Sequence, residues 1–541
     1  MASWRDRLKS LRERVFGRAE VPPSSSEPHA GAASDNEQPG NTASPALALA
    51  PPAAAEKAPA SRARARTGKA PASVKSQDKR AAVVSNDTPP RSAPKARPLA
   101  INLGIDFGTS FTKVCFRDLG SEVSGTVAAG KAGKEALVPS IVAIGSDGRL
   151  FLGDSVSGKQ SAVIVPYLKM RLAGGPIGER LPEFEGIDLN KAESVRALAA
   201  WFLASVIQRS QQWLAVHEAD RLKNRVPVWS ANVGVPVEHY DSQALATFEE
   251  VLGVAWLWVN GDQVPKTFQQ ALSSYGVTQP RLVAEVTDFH AVPEIAAAVQ
   301  SFVMSREAVS GIYVYFDVGG GTVDGVAFNY LNFRGERRIN FYSGKVESLG
   351  VSAIGSALSK GPSAEIDAVI LEGLLKTCAP SALAEFVQRI RRLVGYVIMT
   401  ARQKDGRNWQ EDAFQSADYE RKFIGKLTAS RMRPLIVFMG GGGSKSEWYK
   451  SSIESTYKAF QHHNAGVPPY KLVEVPRPKD FIVPKGGADE FIRFAISYGL
   501  SFPFGEGPDI GLPSQFGEAE KPRQWTPPGA VDYADSKDAY C

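Results

Sequence analysis

The sequence predicts an α/β fold that starts near residue 99, behind a long N-terminal arm. Beyond residue 100, short runs of β-forming residues alternate with helical runs, the order expected of α/β proteins. Residues 21–98, in contrast, are mostly Ala, Pro, Ser and charge with almost no apolar periodicity. Three strand-like runs also end in glycine clusters, at 106–110, 317–322 and 440–444. Glycine is costly to order, so such clusters imply a need for bare backbone.

The arm opens with "MASWRDRLKSLRERVFGRAE", in which Trp4, Leu8, Leu11 and Val15 share one face of a helix and basic residues occupy the others. A basic amphipathic helix is expected over residues 1–20, suited to docking on a partner or on an anionic membrane surface. "PALALAPPAAAEKAPA" and "RARARTGKAPA" cannot bury enough surface to offset their ordering entropy, so residues 21–98 are expected to be a disordered linker. Residues 1–100 hold 17 Lys+Arg against 9 Asp+Glu, leaving 46 against 48 in the rest. All the basic excess is in the arm, and sequence-specific nucleic-acid binding by the folded part is not expected.

In the folded part, "LAINLGIDFG", "SFTKVCFRDLG" and "ALVPSIVAIGSDG" read as strands, and 194–223 as a long helix. "PVWSANVGVPV" is a strand and "SQALATFEEVLG" a helix. Strands return at "GIYVYFDVGGGTVDGVAFNYL" and "RRINFYSGKVESLG", followed by helices over about 353–404. A last strand, "PLIVFMGG", precedes helices near 446–463 and 488–498, and residues 503–541 read as a flexible tail. Cys115, Cys378 and Cys541 lack metal-ligand or CxxC spacing, and no run approaches the roughly 20 apolar residues that span a bilayer. A cytoplasmic protein is expected, possible contact of the arm with a membrane aside.

The glycine turns share one chemistry. "INLGIDFGTSFTKVCF" places Asp106, Gly108, Thr109 and Ser110 between two strands, and "YFDVGGGTVDGV" places Asp317, Gly319, Gly320, Gly321, Thr322 and Asp324 likewise. "FMGGGGSKSEWYK" joins a strand to a helix through Gly440, Gly441, Gly442, Gly443 and Ser444. A phosphate chain needs backbone N–H groups aimed at it, and glycine lets the backbone come close. The hydroxyls of Thr109, Ser110 and Thr322 add donors. Asp106 and Asp317, at strand ends, suit a Mg²⁺ ion held through its water shell.

On these residues the chain resembles the actin, sugar-kinase and heat-shock chaperone ATPase superfamily across roughly 101–500. The first two turns are similar to its phosphate motifs and 434–444 to its adenosine motif. "FDVGGGTVDG", with "VPSIVAIGSDGRLFLGDSVSGKQ" and "YLKMRLAGG", looks closest to the nucleotide-binding domain of heat-shock protein 70. The resemblance implies a two-lobed, actin-like (duplicated ribonuclease H-like) fold, with lobe I over 99–305, lobe II over 306–502 and ATP or ADP with Mg²⁺ in the cleft. It places Lys169 near the γ-phosphate and Asp324 among the acidic residues that position water or metal. It also asks for a water-orienting glutamate before the second phosphate turn, for which Glu285 is preferred over Glu294. Gly234 and Pro236 would line the hinge. Lys113 lies where actin and related kinases carry a lysine that the chaperones lack.

The function implied is a slowly hydrolysing ATPase switch acting through a protein partner of unknown identity. After "FIRFAISYGLSFP" about 40 residues remain, fewer than that family's peptide-binding domain needs. An actin-like filament-forming ATPase and a non-hydrolysing nucleotide-sensing scaffold are the alternatives. A sugar-type kinase is the weakest, because no residue pattern supplies its catalytic base.

Overall fold

Strand after strand in this chain is β-branched or aromatic on both faces, the pattern of sheets covered on two sides. In the computed structural model, which describes residues 97–155, 161–175, 180–261, 263–283, 288–306, 308–359, 368–405, 434–462, 467–482 and 491–517, these runs build two large sheets. The expected helix over 1–20, the linker up to residue 96, and 518–541 lie outside the described residues.

The strands that matter are β1 (Arg97–Phe107), β2 (Phe111–Asp118), β3 (Ser124–Val127), β4 (Arg225–Val235), β5 (Phe289–Pro293), β6 (Gly311–Val318), β7 (Val323–Phe333), β8 (Glu336–Glu347), β9 (Leu435–Gly440), β10 (Tyr470–Glu474), β11 (Phe481–Ile482) and β12 (Asp509–Gly511). The first sheet runs β5-β4-β1-β2-β3-β11 and the second β10-β9-β6-β7-β8-β12. In each, three successive strands form an antiparallel meander, two later strands add in parallel beside the first, and a short parallel strand closes the other edge. One topology is therefore used twice. The repeat reaches single residues: Asp106 pairs across its hairpin with Lys113, and Asp317 across its hairpin with Asp324.

Helices α1 (Ala192–His217), α2 (Ala244–Asn260) and α3 (Phe268–Thr278) pack together against the first sheet, with the Phe107 and Phe202 ring centroids 5.5 Å apart. Helices α4 (Val351–Ser359), α5 (Pro380–Asp405) and α6 (Glu447–His462) contribute to the core on the outer face of the second. A middle core, including Ile295, Phe302, Tyr313, Phe438, Phe494 and Tyr498, is shared by elements of both sheets. Among the described residues no helix is long and apolar enough to cross a membrane.

Two boundaries differ from the sequence expectation. Their order in the sequence puts residues 481–502 in the second half, yet β11 pairs with β3 and helix α7 (Phe491–Leu500) packs on β1, β2 and β4 of the first sheet. The cause is aromatic burial: Phe481, Phe491 and Tyr498 form mutual edge-to-face pairs 5.2–5.6 Å apart on that side. The tail also begins later than residue 503. Phe504 stacks on His290 at 4.2 Å, β12 joins the edge of the second sheet, and Phe516 meets Tyr342 edge-on. Proline and glycine made 503–517 read as flexible, but its aromatic and backbone groups find partners from both sheets.

The return of the chain is held by two buried asparagines. Asn102 Nδ2 donates to the carbonyls of Leu500, Ser501 and Phe502 at 2.9–3.2 Å, and Asn232 Nδ2 to those of Leu500 and Phe502 at 2.8 and 2.7 Å. These amides satisfy the carbonyls at the end of α7, which has no room to continue as helix through Pro503. Asn232→Ala is expected to cost about 2 kcal/mol, read as a lowered denaturation midpoint. The Asn102→Ala/Asn232→Ala double variant is expected to exceed the summed loss, because only then do the shared Leu500 and Phe502 carbonyls lose both amide donors.

Candidate functional site

Between the two sheets lies a cavity of about 490 Å³, walled by the turns that end β1, β6 and β9. Each wall starts from a local rule: a strand ends at an aspartate or glycine, and the next residues turn without a side chain in the way. Gly108 N–H donates to the Asp106 carbonyl, tightening the turn at the end of β1, and Gly319 N–H donates to the Thr322 carbonyl, closing the second hairpin. The hairpins then press on each other. A Cβ on Gly320 would sit 2.4 Å from Ser110 Oγ, and one on Gly321 2.5 Å from Thr109 Cγ2. Two glycines are thus what allows the turns of separate sheets to meet. The second turn is pinned from behind, since the first amides of α4, Val351 and Ser352, donate to the Gly319 and Gly320 carbonyls.

The third turn uses Gly441 at φ +76°, with Ser444 Oγ donating to the Gly441 carbonyl at 2.7 Å. Ser444 is buried and serves the turn itself. Gly441, Gly442 and Gly443 line the cavity, whereas Gly440, Gly321 and Ser444 stand behind its wall. Asp106, Gly108, Thr109, Ser110, Lys113, Lys169, Asp317, Gly319, Gly320, Thr322 and Asp324 all line it. Residues 150 or more positions apart in sequence are brought to one place.

The acidic side chains are organised by two lysines. Lys113 Nζ donates to Asp106 Oδ2 at 2.6 Å, and Lys169 Nζ is paired with Glu294 Oε1 in a buried contact. Lys169 stands on a short helical turn, Leu168–Leu172, entered through Tyr167 in the left-handed region at φ +59°. Glu294 follows Pro293 directly at the end of β5. Its carboxylate enters because residue 234 is glycine: a Cβ there would lie 2.6 Å from Glu294 Cγ. The strand that delivers a glutamate to the cavity is therefore "FHAVP", not the earlier "RLV", which forms a 3₁₀ turn. Glu285 lies outside the described residues.

Asp324 is the outlier. It is buried, and neither carboxylate oxygen has a hydrogen-bond partner. Burial pushes its carboxyl well above the usual range, reinforced by Glu294 and only partly opposed by Lys169. Burial likewise raises Glu294 to about 7 and Asp317 to about 6, with Lys169 and Lys113 respectively pulling the other way. Burial works against the Lys113 charge, but Asp106, Asp317 and Glu294 outweigh it and raise the ammonium's pKa. Among the described residues no cluster of three or more His, Cys, Asp or Glu side chains forms a metal site by itself. A hard, strongly hydrated cation sharing its shell with water and phosphate oxygens requires no such cluster.

Several lining residues carried no signal in the sequence. His239 enters from the segment after Pro236, and burial followed by the nearby Lys169 charge lowers its pKa. Its neighbour Glu238 ties that segment to β8, accepting from Lys345 Nζ at 3.0 Å and Val346 N–H at 2.7 Å. Arg493 reaches from α7 to the third turn, its Nε 3.3 Å from where a Gly442 Cβ would stand. Arg493 was invisible because the turn it meets is 51 residues away in sequence and reached only through the packing of α7.

Carboxyls with raised values hold protons in the folded chain at pH where the unfolded chain has released them. Stability therefore falls as pH rises from about 4 through 6–7 across the Asp317 and Glu294 window. The urea midpoint is expected to be higher at pH 5.5 than at 7.5, and the Asp317→Asn/Glu294→Gln pair to flatten that slope. No protein-family model and no curated protein matches the chain, so its functional reading rests on this cavity.

Proposed function

We propose that the cavity binds ATP and ADP with Mg²⁺ and hydrolyses ATP slowly, in a two-lobed fold of the actin and heat-shock protein 70 type. The observation that carries this is the pair of facing hairpin turns, Asp106–Ser110 and Asp317–Thr322, pressed together through Gly320 and Gly321 at the mouth of a carboxylate-lined cavity. The repeated sheet topology supports it, because a duplicated fold sets two equivalent turns against one ligand.

The residues fit the group. Backbone N–H groups of the glycine turns and the Thr109, Ser110 and Thr322 hydroxyls suit the β- and γ-phosphates, and Gly441–Gly443 with Arg493 suit the α-phosphate and ribose end. Four carboxylates against Lys113, Lys169 and Arg493 leave the lining short of positive charge for a polyanion. A divalent cation beside Asp106 and Asp317 would supply that charge and polarise the phosphoryl oxygens. Phosphoryl transfer asks mainly for positioning and charge stabilisation. Lys169 orients the terminal phosphate, and Glu294, held by Lys169, positions the attacking water. Asp324, with both oxygens unpartnered, would accept a hydrogen bond from that water. Binding energy at the turns then biases closure about the Gly234–Pro236 segment, a switch read by a protein partner. The basic segment at residues 1–20 is the candidate tether to that partner or to a membrane surface.

Lys113 facing the cavity, as in actin and related kinases, favours a filament-forming ATPase as the second reading. Pelleting on addition of Mg-ATP separates the two. Calorimetric titration of Mg-ATP with parallel phosphate release tests the first. Wild type is expected to bind and release phosphate slowly, and Asp317→Ala to lose both. Glu294→Gln is expected to retain binding within a few-fold while hydrolysis falls at least about 100-fold. Absence of binding by wild type would sink the proposal.

A further inference from the structure

Lys113 does more in this site than add one positive charge. It sits directly across the β1–β2 ladder from Asp106, so its position is set by strand register and not by a flexible reach. Its Nζ lies 2.6 Å from Asp106 Oδ2, with the Asp106 side chain only 3% exposed. The ammonium also lies in the field of Asp317 and Glu294, and it is 3.8 Å from where a Cβ on Gly108 would be. It thus stands among the carboxylates that a divalent cation would use. At the corresponding place in the other sheet, across from Asp317, the repeat has Asp324 instead of a lysine. One half of the repeat supplies its own cation, and the other half lacks one.

We propose that Lys113 is an internal placeholder cation, closing the Asp106 and Asp317 carboxylates to free divalent ions so that metal enters only together with a polyphosphate. This rests on the cavity being a metal–polyphosphate site. With Asp106 held by Lys113 and Glu294 by Lys169, a free ion meets a cluster already half neutralised. To bind, it must break a partly buried ion pair and compete with the ammonium for the same carboxylates, which is unfavourable. A polyphosphate removes that obstacle. Its oxygens offer the ammonium a new charge-assisted partner, and Asp106 is released to the incoming metal's water shell. Lys113 therefore couples metal entry to ligand entry, and the coupling is reciprocal.

The test is Mn²⁺ binding to the full chain, followed by electron paramagnetic resonance, for wild type and for Lys113→Met, which keeps the stem and drops the charge. Lys113→Gln serves as a second variant, and thermal unfolding checks that each folds. Nucleotide-free wild type is expected to bind Mn²⁺ at least about tenfold more weakly than Lys113→Met or Lys113→Gln. Addition of ADP is expected to restore tight Mn²⁺ binding to wild type. Tight binding of Mn²⁺ by nucleotide-free wild type overturns the inference whatever the variants do, and so does equally weak binding by folded variants. Stronger Mn²⁺ binding by the variants, with no effect of ADP on wild type, would keep the placeholder role and overturn the nucleotide reading instead.

Discussion

The contact between two hairpin turns organises this molecule. Gly320 and Gly321 bring the second turn against Ser110 and Thr109 of the first at distances no Cβ would permit. The strands that lead into those turns are consequently locked in position, and with them Asp106, Asp317, Lys113 and Asp324, each at or beside a strand end. Those four groups stand in the cavity wall where that contact holds them.

Packing around the cavity serves to keep unfavourable electrostatics in place. Four carboxylates are gathered where water is scarce, and two are offset by lysines that arrive from different elements, Lys113 by strand register and Lys169 by a strained turn after Tyr167. Asp324 has no hydrogen-bond partner on either oxygen and is only partly offset by the more distant Lys169 charge. A buried carboxylate without donors is destabilising by itself. Its persistence is understandable where a ligand, a metal or a water completes it, and this links the energetics of the folded chain to the proposed phosphate chemistry.

The cavity is tied to the rest of the chain by a few specific contacts. Glu238 joins the segment carrying Pro236 and His239 to β8, and α7 carries both Arg493 at the third turn and the Leu500 carbonyl held by Asn102 and Asn232. From there the chain runs over His290 to the edge strand β12. Residues 501–517 thereby touch both sheets and strap them together.

Local chemistry was readable from the chain alone. Asp-x-Gly and Gly-Gly-Gly-Thr after runs of β-formers announce strand–turn–strand units, because only bare backbone tolerates those turns, and the alternation of strands and helices announces an α/β protein. Asp106, Asp317, Thr109 and Ser110 were legible for that reason, whereas Lys169 was reached only through the family resemblance. Tertiary structure alone decided which distant groups share the cavity. Glu294 enters because Gly234 leaves room for it, and Arg493 because aromatic burial folds α7 back onto the first sheet. Residues 503–517 join the fold because backbone and ring partners await them on both sheets. Turn chemistry is written in neighbouring residues. Proximity across the fold depends on shape and burial, which no local pattern encodes.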